Sequence, residues 1–258
     1  MFSEVYSYTF FQWLAFFFVY CFVGWCIESA IVSLDQKKPV NRGFLRGPVL
    51  PLYGFGAMTI LFVCLPVRDN PVLVYLCGML GTTILEYFTG WAMETILKTR
   101  YWDYSNAKFN IKGRICLMSS LFWGFLSMVL MYVLHSFTEK VILAMPDIYV
   151  IIFDCIICVL FAADTVYAFR TAIDVNTVLN KITEIRTELT ALREELREHL
   201  EESERYIEIS ERIERLRQER EEVKRKIGMF KSDFIRAHPT AVSNRFNDAL
   251  KELREHLK

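Results

Sequence analysis

Apolar residues follow two different rhythms along this chain. Up to about residue 170 they fall in five long runs, and beyond it they recur singly, three or four apart, among charges. The runs extend from about Phe10 to Val32, Gly47 to Val67, Val72 to Leu97, Ile115 to Phe137 and Ile148 to Phe169. Each reaches the ~20 residues that a helix needs to cross a ~30 Å hydrocarbon core. The pattern predicts an all-α protein in three parts. These are a five-helix transmembrane bundle over 1–172, a cytoplasmic coiled-coil helix or helical hairpin over 173–230, and a short amphipathic helix over 231–258. The first run reads as a span and not as a cleavable leader. It has no basic segment before it, is too long for a leader's apolar region, and lacks a small-x-small cleavage site.

In the second rhythm Val178, Ile182, Ile185, Leu189, Leu192 and Leu196 alternate steps of four and three, which makes about three heptads of coiled-coil seam. The phase slips near Leu200 to Ile207 and resumes with Ile209, Ile213, Leu216, Val223 and Ile227. Such a slip marks a stutter in one continuous coil or a fold-back into a hairpin, and the pattern leaves both open. Opposite charges four apart (Glu201/Arg205, Glu208/Arg212, Glu211/Arg215, Glu221/Arg225 and Glu222/Lys226) each add ~0.3 kcal/mol of helix support. Gly228 is a stop signal. A last helix is expected after Ser243, with Phe246, Leu250, Leu253 and Leu257 on one face. The tail reads as a homodimerisation stalk or as a docking arm for a cytoplasmic partner. The plainer alternative is a helix folded back on its own hairpin.

Charge orients the spans. The segment from Ser33 to Arg46 carries Lys37, Lys38, Arg42 and Arg46, and that from Lys98 to Arg114 carries Lys98, Arg100, Lys108, Lys112 and Arg114. The alternate connections hold only Arg68 and Lys140, and no basic residue precedes Phe10. Because basic loops stay in the cytoplasm, the N-terminus is expected outside and the tail inside a plasma membrane. Trp13 and Tyr6 at one end, and Trp91, Tyr101, Trp102 and Tyr104 at the other, suit the two interfaces.

Composition changes this picture little. The chain has 258 residues, 53% hydrophobic and 23% charged, and its formal net charge of zero is a cancellation within the tail. Basic residues matched by acids give no nucleic-acid surface. All seven cysteines lie in apolar stretches, are odd in number and have no His cluster beside them. Neither a disulfide framework nor a zinc site is expected, and no metal or cofactor is assigned. Cys155 and Cys158 read as small apolar residues. His135 lies at the outer end of the fourth span, and neither Gly-x-Ser-x-Gly nor His-Glu-x-x-His occurs. No catalytic residue is assigned and the chain is not expected to be an enzyme.

Carboxylates inside spans are costly unless paired, protonated or wetted, so each needs an explanation. Glu28, Glu94 and Asp164 come out within ~10 Å of the inner interface at ~1.5 Å per residue. Glu86 lies deeper, and Asp154 lies in the outer half. Glu86, Gly90 and Glu94 share one helix face, with a thin centre where another helix can approach. Arg42, Arg46, Arg100, Asp103, Asn110 and Arg114 belong to the same inner layer. The set predicts either a polar, cytoplasm-facing vestibule for a small substrate or ion, or a group of salt bridges fastening loops to the bundle. Glu86 is the strongest functional candidate, since no basic residue lies at its depth.

The inner loops have distinctive content. One reads Asn41-Arg42-Gly43-Phe44-Leu45-Arg46-Gly47-Pro48 and continues through Pro51-Leu52-Tyr53-Gly54. Its glycines and prolines predict a broken start to the second span, tolerable where it is buried in protein or lines water. The other reads Trp102-Asp103-Tyr104-Ser105 and leads to Phe109-Asn110-Ile111-Lys112-Gly113. With Gly24-Trp25-Cys26-Ile27-Glu28, the Glu86-Tyr-x-Thr-Gly run and Ser120-Leu121-Phe122-Trp123-Gly124, these strings resemble a bacterial family labelled "putative ABC-transporter permease, type IV". The resemblance covers residues 20 to 125 and returns around His238-Pro239 and Ser243 to Leu253. It implies transport at a bacterial inner membrane but neither a substrate nor catalytic residues. The chain has no Gly-x-x-x-x-Gly-Lys-Ser/Thr loop, so an ATPase would be a separate subunit. The expectation is a permease or channel-like component, embedded in the lipid bilayer and homo-oligomeric through its tail. The competing expectation is a membrane scaffold or sensor that docks a partner there.

Overall fold

The computed structural model describes residues 7–97, 100–198, 203–225, 235 and 246–256. It is helical throughout, with one isolated antiparallel bridge, Ile111 to Ile115. The chain divides into two compact units, residues 1–96 with 101–168, and residues 97–100 with 169–258.

Helix α1 (Phe10–Gln36) starts where Thr9 and Gln12 form a reciprocal capping box, and ends at Lys37 in a left-handed conformation. Helix α2 (Pro51–Cys64) begins on a proline, whose missing N–H is no loss in a first turn, and runs into a 3-10 turn at Leu65–Val67. Asn70 caps α3 (Pro71–Leu97) by accepting from the backbone N–H groups of Val72 and Leu73. Helix α4 (Leu117–Val129) passes through a π turn at Leu130–Leu134 into α5 (His135–Ala144). Helix α6 (Asp147–Glu198) is 52 residues long, so the last apolar run continues as helix into the charged tail.

Four of these helical stretches are long and apolar enough to cross a membrane: 10–35, 71–96, 117–144 and the apolar part of 147–197. The apolar stretch Pro51–Val67 is shorter. The expected second span begins at Pro51, four residues later than its apolar run, because 47–50 are committed to the loop. The chain is a membrane protein.

Packing in the first unit centres on α1 against α2. Phe16 and Tyr20 meet Ile60, Leu61 and Cys64, with Val74, Met131, Ile142 and Val150 closing the cluster. The close approach depends on missing side chains. A Cβ on Gly24 would overlap the Tyr53 ring, and one on Gly54 would overlap Cys21 Sγ and the Phe17 ring. Directly after the π turn, the buried His135 hydrogen-bonds with the Tyr20 hydroxyl at 2.8 Å and the Tyr8 hydroxyl at 3.2 Å. Tyr8 also donates to Glu139.

In the second unit α6 pairs antiparallel with α7 (Ser203–Arg225). Ile185, Leu189 and Leu192 pack on Ile209 and Ile213. Lys181 meets Glu219 at 2.8 Å, Glu188 meets Arg212 at 2.5 Å and Glu195 meets Arg205 at 3.4 Å. Steps of seven along one helix are thus matched by steps of seven back along the other. Arg205 and Arg212 therefore reach across the hairpin to Glu195 and Glu188, where spacing alone had paired them within one helix. Helix α8 (Asn247–His256) buries Leu250 and Leu253, with Phe246 just before it, on Val175, Leu179 and Ile182. Gly228, Leu257 and the centre of the phase slip lie outside the described residues. The heptad seam is covered by the chain's own helices.

Candidate functional site

The two basic loops meet at one end of the first unit, where the Phe44 and Tyr101 rings stand edge to face with centroids 5.9 Å apart. Each loop is held by carboxylates from the long helices.

Glu28 of α1 accepts from the Tyr53 hydroxyl at 2.7 Å and lies 3.9 Å from Arg42 Nε. The Arg42 backbone N–H donates to Ser29 Oγ at 3.1 Å, and Trp25 Nε1 donates to Asn41 at 2.5 Å. At the far end of the same loop, Asp164 of α6 accepts from the backbone N–H groups of Arg46 (3.2 Å) and Gly47 (2.8 Å). The Arg46 guanidinium lies 4.8 Å above the Tyr167 ring. Two acids thus tether both ends of one loop, largely through neutral donors.

The second loop is fixed along α3. Glu94 receives two bonds from Arg114, at 3.0 and 2.8 Å, and this charge-assisted pairing raises the guanidinium above its usual range. Trp102 donates to the Arg114 carbonyl at 2.9 Å and fills the space over Gly90, where a Cβ would stand 3.2 Å from the indole. The thin centre of α3 therefore admits a loop side chain and not a neighbouring helix.

Deeper on the same face, Glu86 is 5% exposed and accepts from Trp123 Nε1 (3.1 Å), Tyr104 OH (3.2 Å) and Ser119 Oγ (3.4 Å). Its bonds come from neutral donors on the loop and on α4. Burial, reinforced by the Glu86 charge, raises the Tyr104 phenol well above its ordinary value, so it stays a donor. Burial does the same for Tyr101. The Glu86 and Glu28 sets adjoin, because the Tyr53 ring lies 5.7 Å from the Trp123 ring.

The remaining expected residues shape the loop. Asp103 accepts from the Ser105 N–H at 3.0 Å and hydroxyl at 2.5 Å. Asn110 donates to the Ser105 and Ala107 carbonyls and accepts from the Gly113 N–H. These bonds hold a tight turn in which Phe109 and Lys112 take positive φ. Arg100 groups with the second unit. Tyr53, Tyr104, Ser119 and Trp123 were not among the expected site residues, although Tyr53, Tyr104 and Trp123 stand inside the strings that carry the family resemblance. Partnerless acids in the sequence were the available signal that neutral donors had to be near. Among the described residues no group of three or more His, Cys, Asp or Glu side chains could hold a metal.

The arrangement does two things chemically. It turns four acids into fixed acceptors that pin two loops, and it leaves two carboxylates, Glu28 and Glu86, within one aromatic-walled polar layer. No curated protein and no solved structure matches the chain. A family model described as "putative ABC-transporter type IV" matches residues 15–169, from the first span to the end of the first unit. The loops and the acids that pin them lie within that stretch, and the chain belongs to this transport-related membrane family.

Proposed function

We propose that this chain is the membrane-embedded permease component of a transporter, with the two pinned loops closing a polar vestibule on the cytoplasmic side. The observation that carries this reading is the buried Glu86, held by neutral donors beside the Glu28 set. A carboxylate so placed is stabilised by bonds that a passing solute or ion can replace, one donor at a time. The basic content of the loops supports a cytoplasmic position for this end, with the N-terminus outside. The work is transport and not catalysis. Homo-oligomerisation through the tail stays part of this reading, with the seam positions packed on the chain's own helices in the single chain.

A second reading, a membrane scaffold that docks a cytoplasmic partner through its tail, draws support from the tail's self-contained hairpin. Reconstituted protein screened on solid-supported membranes against small cations, anions and amines separates the two. The permease reading expects a solute-dependent current that Glu86→Gln reduces at least tenfold and removal of residues 175–258 leaves in place. No current from any solute, together with partner capture that depends on the tail, overturns it in favour of the scaffold.

A further inference from the structure

Of the five acids singled out within the apolar runs, Glu28, Glu86, Glu94 and Asp164 have partners. Asp154 is the exception. Its side chain is fully buried (0% exposed), and among the described residues neither carboxyl oxygen has a hydrogen-bond partner. No charged side chain of another helix acts on it among the described residues. The Cys158 thiol, a turn further along the same helix, lies near enough to feel its charge.

A charged carboxylate cannot rest in such a place, because nothing repays its removal from water. A hard metal cation takes six or more oxygen ligands, and among the described residues no group of three or more His, Cys, Asp or Glu side chains surrounds this carboxyl. The one ligand the surroundings admit is a proton. A neutral acid with both oxygens unpaired also stabilises nothing, since its burial is uncompensated by any bond. What remains to it is holding and releasing that proton.

We propose that Asp154 is a proton-binding site inside the transmembrane bundle, loaded in the state described and exchanging with water when α6 moves. On release the O–H bond breaks, its electron pair stays on the carboxylate and the proton passes to water. This deepens the transport reading by naming the coupling ion, and its purpose rests on that reading while its chemistry does not.

Infrared difference spectra of the full chain in lipid discs at neutral pH test it. The wild type should show the carbonyl stretch of a protonated carboxylic acid, lost in Asp154→Asn and retained in Glu86→Gln. The band should shift on transfer to D2O, as an exchanging proton requires. Asp154→Leu, which matches the apolar surroundings, should lose the same band and checks that the loss does not come from misfolding. Absence of the band from the wild type overturns the proposal, as does a band that never shifts in D2O. The band is independent of flux, so its presence in a protein that moves no solute would sink the permease reading and leave the proton site standing.

Discussion

At the scale of single residues, the first unit is built on absent side chains as much as on present ones. Gly54 and Gly56 stand two apart on α2, yet they face different neighbours. A Cβ on Gly54 overlaps Cys21 and Phe17, whereas one on Gly56 would come to an ordinary 3.7 Å from Trp123. Gly54→Ala should therefore lower stability by about 1–3 kcal/mol, the usual cost of overpacking. Gly56→Ala should be neutral or stabilising by up to ~1 kcal/mol, because it removes backbone freedom from the unfolded chain. Thermal unfolding of both variants in the same lipid discs checks the contrast, and equal shifts would contradict it. The acids were legible as positions needing explanation, since Glu28, Glu86, Glu94 and Asp164 interrupt apolar runs. Their partners were not. Tyr53, Tyr104 and Trp123 are ordinary interfacial aromatics in a linear pattern, and only the fold brings their polar atoms onto carboxylates from other helices.

Elements were legible to different degrees, for physical reasons. The apolar runs located the long helices well because burial in lipid demands length. The start of α2 was blurred because Gly47 to Leu50 are apolar yet serve the loop, two of their N–H groups being spent on Asp164 and on the Cys21 carbonyl. In the tail the heptad seam was plain, but whether its partner was another chain or the same chain was not, since both solutions bury identical positions. The last helix adds a pH dependence. Glu252 on α8 is partly buried, which by itself would raise its carboxyl, yet bonds from Arg220 and Lys224 hold it below its usual range. A depressed carboxyl contributes stability that is present above its unfolded value of about 4.3 and is lost as pH falls through the folded value. Hydrogen exchange of the full chain, corrected for intrinsic rates, should show protection at Leu250 and Leu253 falling as the pH drops below that unfolded value. Glu252→Gln should flatten that dependence, and an unchanged profile would contradict the assignment.

At the scale of the whole molecule, the first unit and the family match end within a residue of each other, near 168 and 169. The tail lies beyond the matched stretch, so what the family carries must reside in the bundle and its loops. Orientation is open to a direct check on a cysteine-free background. Single cysteines at Lys38 and Lys108 should react with an impermeant maleimide only after the cells are opened, and those at Arg68 and Lys140 in intact cells. The reverse pattern would invert the topology and put the pinned loops outside. The tail hairpin carries its own proofreading. Among the described residues, the cross-links at Lys181, Glu188 and Glu195 read plus, minus, minus along α6, opposite minus, plus, plus on α7, so the charge order is not uniform. A slide of one heptad either way keeps the seam rows facing each other, yet it sets Lys181 against Arg212 or Glu188 against Glu219. Oil alone would accept three alignments, and the single reversed sign at Lys181 marks one of them as the reading frame.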